Sequence, residues 1–302
     1  MRAARELAGY KNDETINALQ QAVNSADHRA VRMAAAVSLG EIGQEEARQI
    51  LLDAYQNSQD THVRRACVWA IGNGKKVDDG IVNFLREVIA NDPSYFVGAA
   101  AVRALGTDAL AGMTSAQISS FTTGQVKALT TNQVASLDSG DLNALTSDDF
   151  AVFSTAQAAA LTSAQIDTMT TDDLAALGAA NVRMFSTASV AVLDSAQFNA
   201  LTTAQFAALT TAQAGAITSA QTATMASDDL QALTTANVKV LGTDALHGMT
   251  SAQMVAFTTA QVKALTSAVG SASRAARAGS YATRCEVKRD EVPRSVSSLQ
   301  AT

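Results

Sequence analysis

The sequence predicts an all-α protein: a solenoid of helix pairs, then a solenoid of short capped helical segments with an eight-residue repeat. Three observations predict this class. The stretches "VRMAAAVSLG" (31–40), "VRRACVWAIG" (63–72) and "VGAAAVRALG" (97–106) recur along the first third of the chain. Their starts are separated by a period that belongs to two-helix repeats. From Leu105 to Leu265 a large apolar residue returns every eighth position, 21 times without a slip. The composition changes where the patterns meet. Residues 1–104 hold 12 Lys+Arg, 13 Asp+Glu, the single Trp and three of the four Tyr. Residues 105–268 contain no Glu, Pro, Cys, Trp or Tyr and set 12 Asp against 4 Lys+Arg. The expected organisation is therefore 1–104 helix pairs, 105–268 octad solenoid, and a disordered tail over 269–302, which has little apolar content and no period.

In the first region each recurring stretch places apolar residues at helical spacing and ends on Gly40, Gly72 or Gly106, positions that suit a left-handed C-cap. An amphipathic partner helix precedes each: "ETINALQQAV", "EEARQILLDAY" and "GIVNFLREVIA". Asp27 and Asp60 stand where the second helices of their pairs need an N-cap, and Pro93 sits near the same point of the third. The opening "RAARELAG" matches the end of another second helix, closing at Gly9, so the chain reads as starting inside a repeat.

In the second region the octad runs apolar, Thr/Ser/Asp/Gly, Ser/Thr, Ala/Asp, Gln/Asp, apolar, variable, small. One continuous helix fails, because eight residues leave roughly 80° of rotation and the large side chains would sweep around the axis. A β-solenoid fits poorly: positions one and six differ by five and would face opposite sides of a strand. The order of residue types fits repeated helix starts. In "LTTAQF" (201–206), Thr202 is the N-cap, Gln205 the capping-box partner, and Leu201 with Phe206 the hydrophobic staple. Thr, Ser or Asp fills the cap position in 17 of the 21 octads, and Gly in three more. The expectation is a string of segments about one and a half turns long, staple residues inward, stabilised by their neighbours, with the small eighth residue permitting the bend.

"AVRMAAAVSLGEIG" resembles the HEAT-like repeat consensus over about residues 1–106, which implies an α-solenoid. "DPSYFVGAAAVRALG" (92–106) is similar to the helical repeats that trail gluzincin-type zinc aminopeptidases; that family's catalysis needs an H-E-x-x-H helix, which this chain lacks. Bilin lyases also use such repeats, but no residue here singles out a pigment site. The octads resemble the "LTTAQ" arrays of large bacterial surface or secreted repeat proteins, a resemblance that implies a stalk or spacer. Residues 105–130 and 241–266 differ at five of 26 positions and lie a whole number of octads apart, which indicates growth by duplication of whole repeats.

No catalytic, cofactor or metal site is legible. His28, His62 and His247 lack ligand spacing, and Cys67 and Cys285 form no disulfide framework. His62 reads as partly buried, with Cys67 and Trp69 as core. Asp148/Asp149, Asp172/Asp173 and Asp228/Asp229 read as first-turn charges favouring the helix dipole rather than acid–base pairs. Arg32 and Arg64 occupy equivalent places and form a candidate partner-binding ladder, or else a structural ladder with Asp27 and Asp60. A net charge of −6 argues against nucleic acid as a partner. No signal peptide and no run of 18 apolar residues is present, so membrane insertion is not expected and the compartment defaults to cytoplasmic. The function expected is a non-enzymatic repeat scaffold and spacer that contacts a protein partner. The alternative is a non-catalytic C-terminal repeat fragment of an aminopeptidase-like enzyme.

Overall fold

The computed structural model describes residues 12–74 and 77–265. The opening segment that closes at Gly9 and the tail from 269 lie outside the described residues. Among the described residues every regular element is helical. The chain forms two compact units, Met1–Ala208 and Leu209–Thr302. The division falls within the octads, so the first part of the array shares a unit with the helix pairs.

The helix pairs are α1 (Asp13–Ser25) with α2 (Arg29–Ile42), α3 (Glu45–Asn57) with α4 (Thr61–Gly72), and α5 (Asp79–Asn91) with α6 (Tyr95–Ala104). Each second helix packs on the next, α2 on α4 and α4 on α6. The apolar stripes bury Ile16, Leu19, Leu39, Leu51, Leu85 and Val102 almost completely. Asn12, Asp60 and Asp78 cap their helices by accepting a backbone N–H from Thr15, His62 and Ile81. Asp27 does not act this way: helix α2 starts one residue later, with His28 at the N-cap and no side-chain bond there. Ser94, after Pro93, holds the N-cap place of α6.

The three repeat glycines are not C-caps. Helix α2 runs past Gly40 to Ile42, and the left-handed residue is Gly43, with φ 66°. At Gly40 a Cβ would stand 2.8 Å from the Ala70 Cβ, and at Gly72 it would overlap the Ala104 methyl. These two glycines set the close approach of successive second helices. Gly106 has φ −67° and begins the next helix instead of ending the last.

In the array each octad up to Ala256 gives one helix of four to six residues, such as Thr123–Ala128, Thr131–Ser136 and Thr155–Ala160. In six-residue helices such as Thr131–Ser136 the first-position residue is both the C-cap of one helix and the staple of the next. In five-residue ones such as Ser115–Ser119 and Thr211–Gly215 the eighth residue, Ser120 or Ala216, is the C-cap. Leu137, Leu161 and Leu177 take extended backbone, with φ of −62°, −62° and −61°. In the six-residue helices the chain thus leaves helical geometry at the large apolar residue and the small eighth residue closes the helix, whereas in the five-residue ones the helix already ends at the eighth. Capping boxes form as the sequence predicts: the Gln133 side chain accepts the Thr130 N–H at 2.8 Å, while Thr130 Oγ1 accepts the Gln133 N–H at 3.2 Å. Position-one side chains are buried throughout except Met249 and Leu265, which are half-buried. Position six is fully buried from Leu110 to Val238.

The stacking period follows from the contacts. The helix Ser147–Ala151 packs on Thr171–Ala176, and Ser163–Asp167 on Thr187–Val192; in the second unit Thr211–Gly215 packs on Thr235–Val240. Within each unit a helix therefore meets the third one after it, and three octads complete one turn.

The amide of the fifth-position Gln holds these turns together. Its oxygen serves its own helix's capping box. Its Nε2 donates to carbonyls at the end of a helix in the turn below. Gln157 reaches Val126 (2.8 Å) and Leu129 (3.0 Å); Gln165 reaches Val134 and Leu137, both at 2.8 Å. In the second unit Gln253 reaches Thr222 and Met225, both at 2.7 Å. So short a helix leaves most of its N–H and C=O groups without internal partners, and one amide here serves both kinds of end.

The same device joins the two patterns within the first unit. Gln133 donates to Val102 (2.7 Å) and Leu105 (2.6 Å), so the end of α6 is read as if it were an octad. One octad earlier, Gln125 donates to Ile89 of α5 at 2.8 Å. In the first pair the equivalent carbonyl, that of Val23, accepts from Arg32 Nε at 3.0 Å. The third pair has Gly98 where the earlier pairs have Arg32 and Arg64, and a Cβ there would lie 2.6 Å from Gln125 Nε2. Arginine gives way to glycine at the point where the array's glutamine takes over.

Candidate interaction groove

Arg32 and Arg64, the sequence's candidate ladder, both turn into the fold. Besides Val23, Arg32 reaches Ser58 Oγ at 3.2 Å. Arg64 Nη2 pairs with Asp92 Oδ1 at 3.1 Å, and both side chains are largely buried. Ser58 and Asp92 are equivalent C-cap residues of α3 and α5, so each arginine binds the following pair rather than its own Asp27 or Asp60. Asp92 also accepts the Tyr55 hydroxyl at 2.9 Å and the Ser94 N–H at 2.8 Å. Burial and the neighbouring carboxylate push the Tyr55 hydroxyl far above the ordinary tyrosine range. This network is a junction between repeats.

One residue further along each second helix lies a different stripe. Met33 and Val37 of α2, Arg65 and Trp69 of α4, and Ala99 and Arg103 of α6 are equivalent positions, joined by Tyr95 and Phe96 at the start of α6. They line a groove of about 520 Å³. Trp69 is 45% exposed, Tyr95 48% and Phe96 57%. Trp69 is therefore not core, as the apolar helix around it suggests. A second helix in a solenoid is covered on both flanks, and only a narrow strip at i, i+3, i+7 stays open. On α4 that strip is His62, Arg65 and Trp69; His62 is exposed rather than partly buried.

The array braces this groove from below. The Tyr95 and Phe96 rings pack 4.7 Å apart, and the Tyr95 ring lies so close over Gly124 that any Cβ there would overlap it. Most octads carry Ala or Asp at that position. Between α2, α3 and α4 a second hollow of about 280 Å³ has Arg48 at its edge, but that guanidinium is held by Glu45 and Asp78. The pairing holds the Asp78 carboxyl below the usual carboxylate range.

Other sequence candidates do not converge. Cys67 is fully buried, and burial pushes its thiol up to about 12, which keeps it protonated. In each Asp pair the first carboxylate is exposed and the second buried at the third helical position, so the two are directed apart. Asp149 accepts the Thr146 N–H at 3.0 Å, and Asp173 accepts the Ser147 hydroxyl of the turn below at 2.8 Å. Among the described residues no group of three His, Cys, Asp or Glu is placed to hold a metal ion, and no helix is long and apolar enough to cross a membrane.

Comparison with family models agrees with the geometry. A HEAT-repeat model matches residues 1–72. The ALTTAQ repeat model matches 99–131, 134–171, 166–203, 190–227 and 222–259, more than half of the chain. The chain belongs to the ALTTAQ repeat family. The first ALTTAQ match begins inside α6, where the Gln133 amide also begins to read the backbone in octad register. No curated protein and no solved structure matches the chain.

Proposed function

We propose that this ALTTAQ repeat protein is a non-enzymatic scaffold and spacer, whose helix pairs hold a protein partner and whose array sets distance. The observation that carries the reading is the exposed Trp69, Tyr95 and Phe96 stripe, which shares its groove with Arg65 and Arg103 on equivalent helices of successive repeats. Large aromatic side chains left open in one patch mark contact surfaces, because their burial by a partner supplies most of an interface's energy. The array turns its aromatic residues inward and exposes none among the described residues, which suits a spacer.

The test is affinity purification with the full chain and with W69A/F96A, followed by reconstitution of the retained protein from purified components. The expected result is a stoichiometric complex with the native chain and none with the variant. A partner indifferent to both substitutions would remove the groove from the reading. Peptide turnover by the purified chain supplied with zinc would overturn its non-enzymatic part; the alternative of an enzyme's trailing fragment has no particular observation in its favour.

A further inference from the structure

We propose that the groove recognises an acidic peptide segment with a bulky apolar anchor, an inference that rests on the scaffold reading and gives its partner a chemistry. Arg65 and Arg103 carry the argument. Arg32, Arg48, Arg64 and Arg86 each bind a neighbouring side chain or carbonyl. Arg65 and Arg103 have no side-chain hydrogen bond or ion pair among the described residues, and both line the groove beside Trp69 and Phe96. The groove's lining contains no carboxylate. Glu41 lies in the adjoining hollow past Trp69, which assigns the partner's acidic residues to the Arg65 and Arg103 side. Arginine beside aromatic faces is the combination that binds carboxylates while burying apolar surface.

Other occupants fit less well. The chain's own tail, residues 269–302, carries 6 Lys+Arg against 3 Asp+Glu and would be repelled. Nucleic acid needs many cations in a row, and two arginines do not offset the array's 12 Asp against 4 Lys+Arg. The Gly124 position shows that the aromatic side of the groove is fitted to the array: a residue that is Ala in the matching octad, Ala260, is Gly where Tyr95 crosses it.

The experiment uses the full chain and a fluorescent eight-residue probe with a central Phe-Leu pair flanked by Glu, read by polarisation. A Lys-flanked probe and a probe with Ala replacing Phe-Leu serve as controls. The Glu-flanked probe should bind about tenfold or more tightly than either control, with the charge-dependent part shrinking at high salt. R65E/R103E changes two exposed or half-exposed groups and should leave the helical signal intact; it should reverse the preference, so that the Lys-flanked probe binds better. That reversal cannot come from misfolding. Equal binding of Glu- and Lys-flanked probes, both lost with W69A/F96A, would overturn the acidic specificity while the scaffold reading stands. Absence of binding by every probe would overturn the proposal, and the reconstitution above decides the scaffold reading separately. Concentration-dependent self-association abolished by R65E/R103E would overturn it in favour of a second copy's acidic array.

Discussion

The helix pairs and the octads solve one problem at two lengths. The longer helices, such as Arg29–Ile42, bond most of their backbone internally, and only their ends need help. That help is varied: Asn12, Asp60 and Asp78 at starts, and Arg32 at the Val23 carbonyl near an end. Helices of four to six residues are nearly all end. They rely on an amide repeated every octad, and each amide requires the backbone of the turn below to be in step. The shorter the helix, the more its stability depends on register and the less on local preference. The helix pairs vary in spacing, their matching stretches starting at 31, 63 and 97, while the array does not slip once in 21 octads.

The largest effect should follow from breaking register alone. Ala159 is exposed and lies in the helix Thr155–Ala160, so its deletion removes almost no buried surface. It shifts Leu161, the next staple residue, by one position, a rotation of about 100°, and offsets the amides that reach back across the cut. Deleting it should cost more than about 4 kcal/mol or abolish cooperative unfolding, the range of a disrupted core. Removing Ser154 to Leu177, one whole turn of three octads, should leave a cooperative transition with a modestly lower Tm. Thermal unfolding followed by circular dichroism compares the two. Similar losses would mean that the stack is not held by register.

A smaller effect separates the two jobs of the glutamine. Gln157 caps its own helix at Ser154 and also serves Val126 and Leu129. Gln117 is exposed and caps Thr114, but its Nε2 reaches no carbonyl among the described residues. Gln157→Ala loses the cap and leaves the buried Leu129 carbonyl unpaired, while the Val126 carbonyl keeps only the Leu129 N–H; it should cost about 3 kcal/mol. Gln117→Ala loses only the cap and should cost about 1 kcal/mol. Denaturant titration of both variants checks this. Equal costs would show that the long-range bonds add nothing.

These residues also show what can be read from the sequence. The capping box spans three positions, so "LTTAQF" displays it directly. The number of octads per turn is set by bonds such as Gln165 to Val134 and Leu137, between residues too far apart for any local pattern to display. One trace of it is present. Glu serves a capping box as well as Gln does, yet residues 105–268 contain none. A carboxylate has no N–H to give the turn below; where the shorter Asp stands there, as at 141 and 173, it accepts a serine hydroxyl from that turn instead. The groove is hidden for a related reason. Trp69 sits among Val63, Ala66, Cys67, Val68, Ala70 and Ile71, all buried, and only the packing of α4 between two neighbours reveals which strip remains open. Gly40 looks like a helix end because its partner, Ala70, lies in the next repeat.

The smallest effect concerns octads in which the fifth residue is Asp. Asp141 is buried and accepts the Ser115 hydroxyl from the turn below at 3.0 Å. Burial raises its pKa above the ordinary 3.8; the Ser115 bond opposes this and the charge of Asp138 adds to it. The folded state thus holds this proton more tightly than the unfolded chain. Its contribution is fully present below the ordinary value and is lost as pH rises through the raised one. At neutral pH the carboxylate is therefore a cost. Asn is the natural replacement, because Asn181 and Asn237 donate to the carbonyls of Phe153 and Leu209 in the turn below, each at 2.9 Å. For position 141 the equivalent carbonyl belongs to Met113, and the amide oxygen still accepts from Ser115. Asp141→Asn should stabilise the fold by about 1 kcal/mol at pH 7. The gain should shrink from pH 7 to pH 4, as more of the native carboxyl takes up its proton. Chemical unfolding at the two pH values measures it; a gain that grows on acidification would reverse the sign of the argument and make the buried carboxylate an asset of the array.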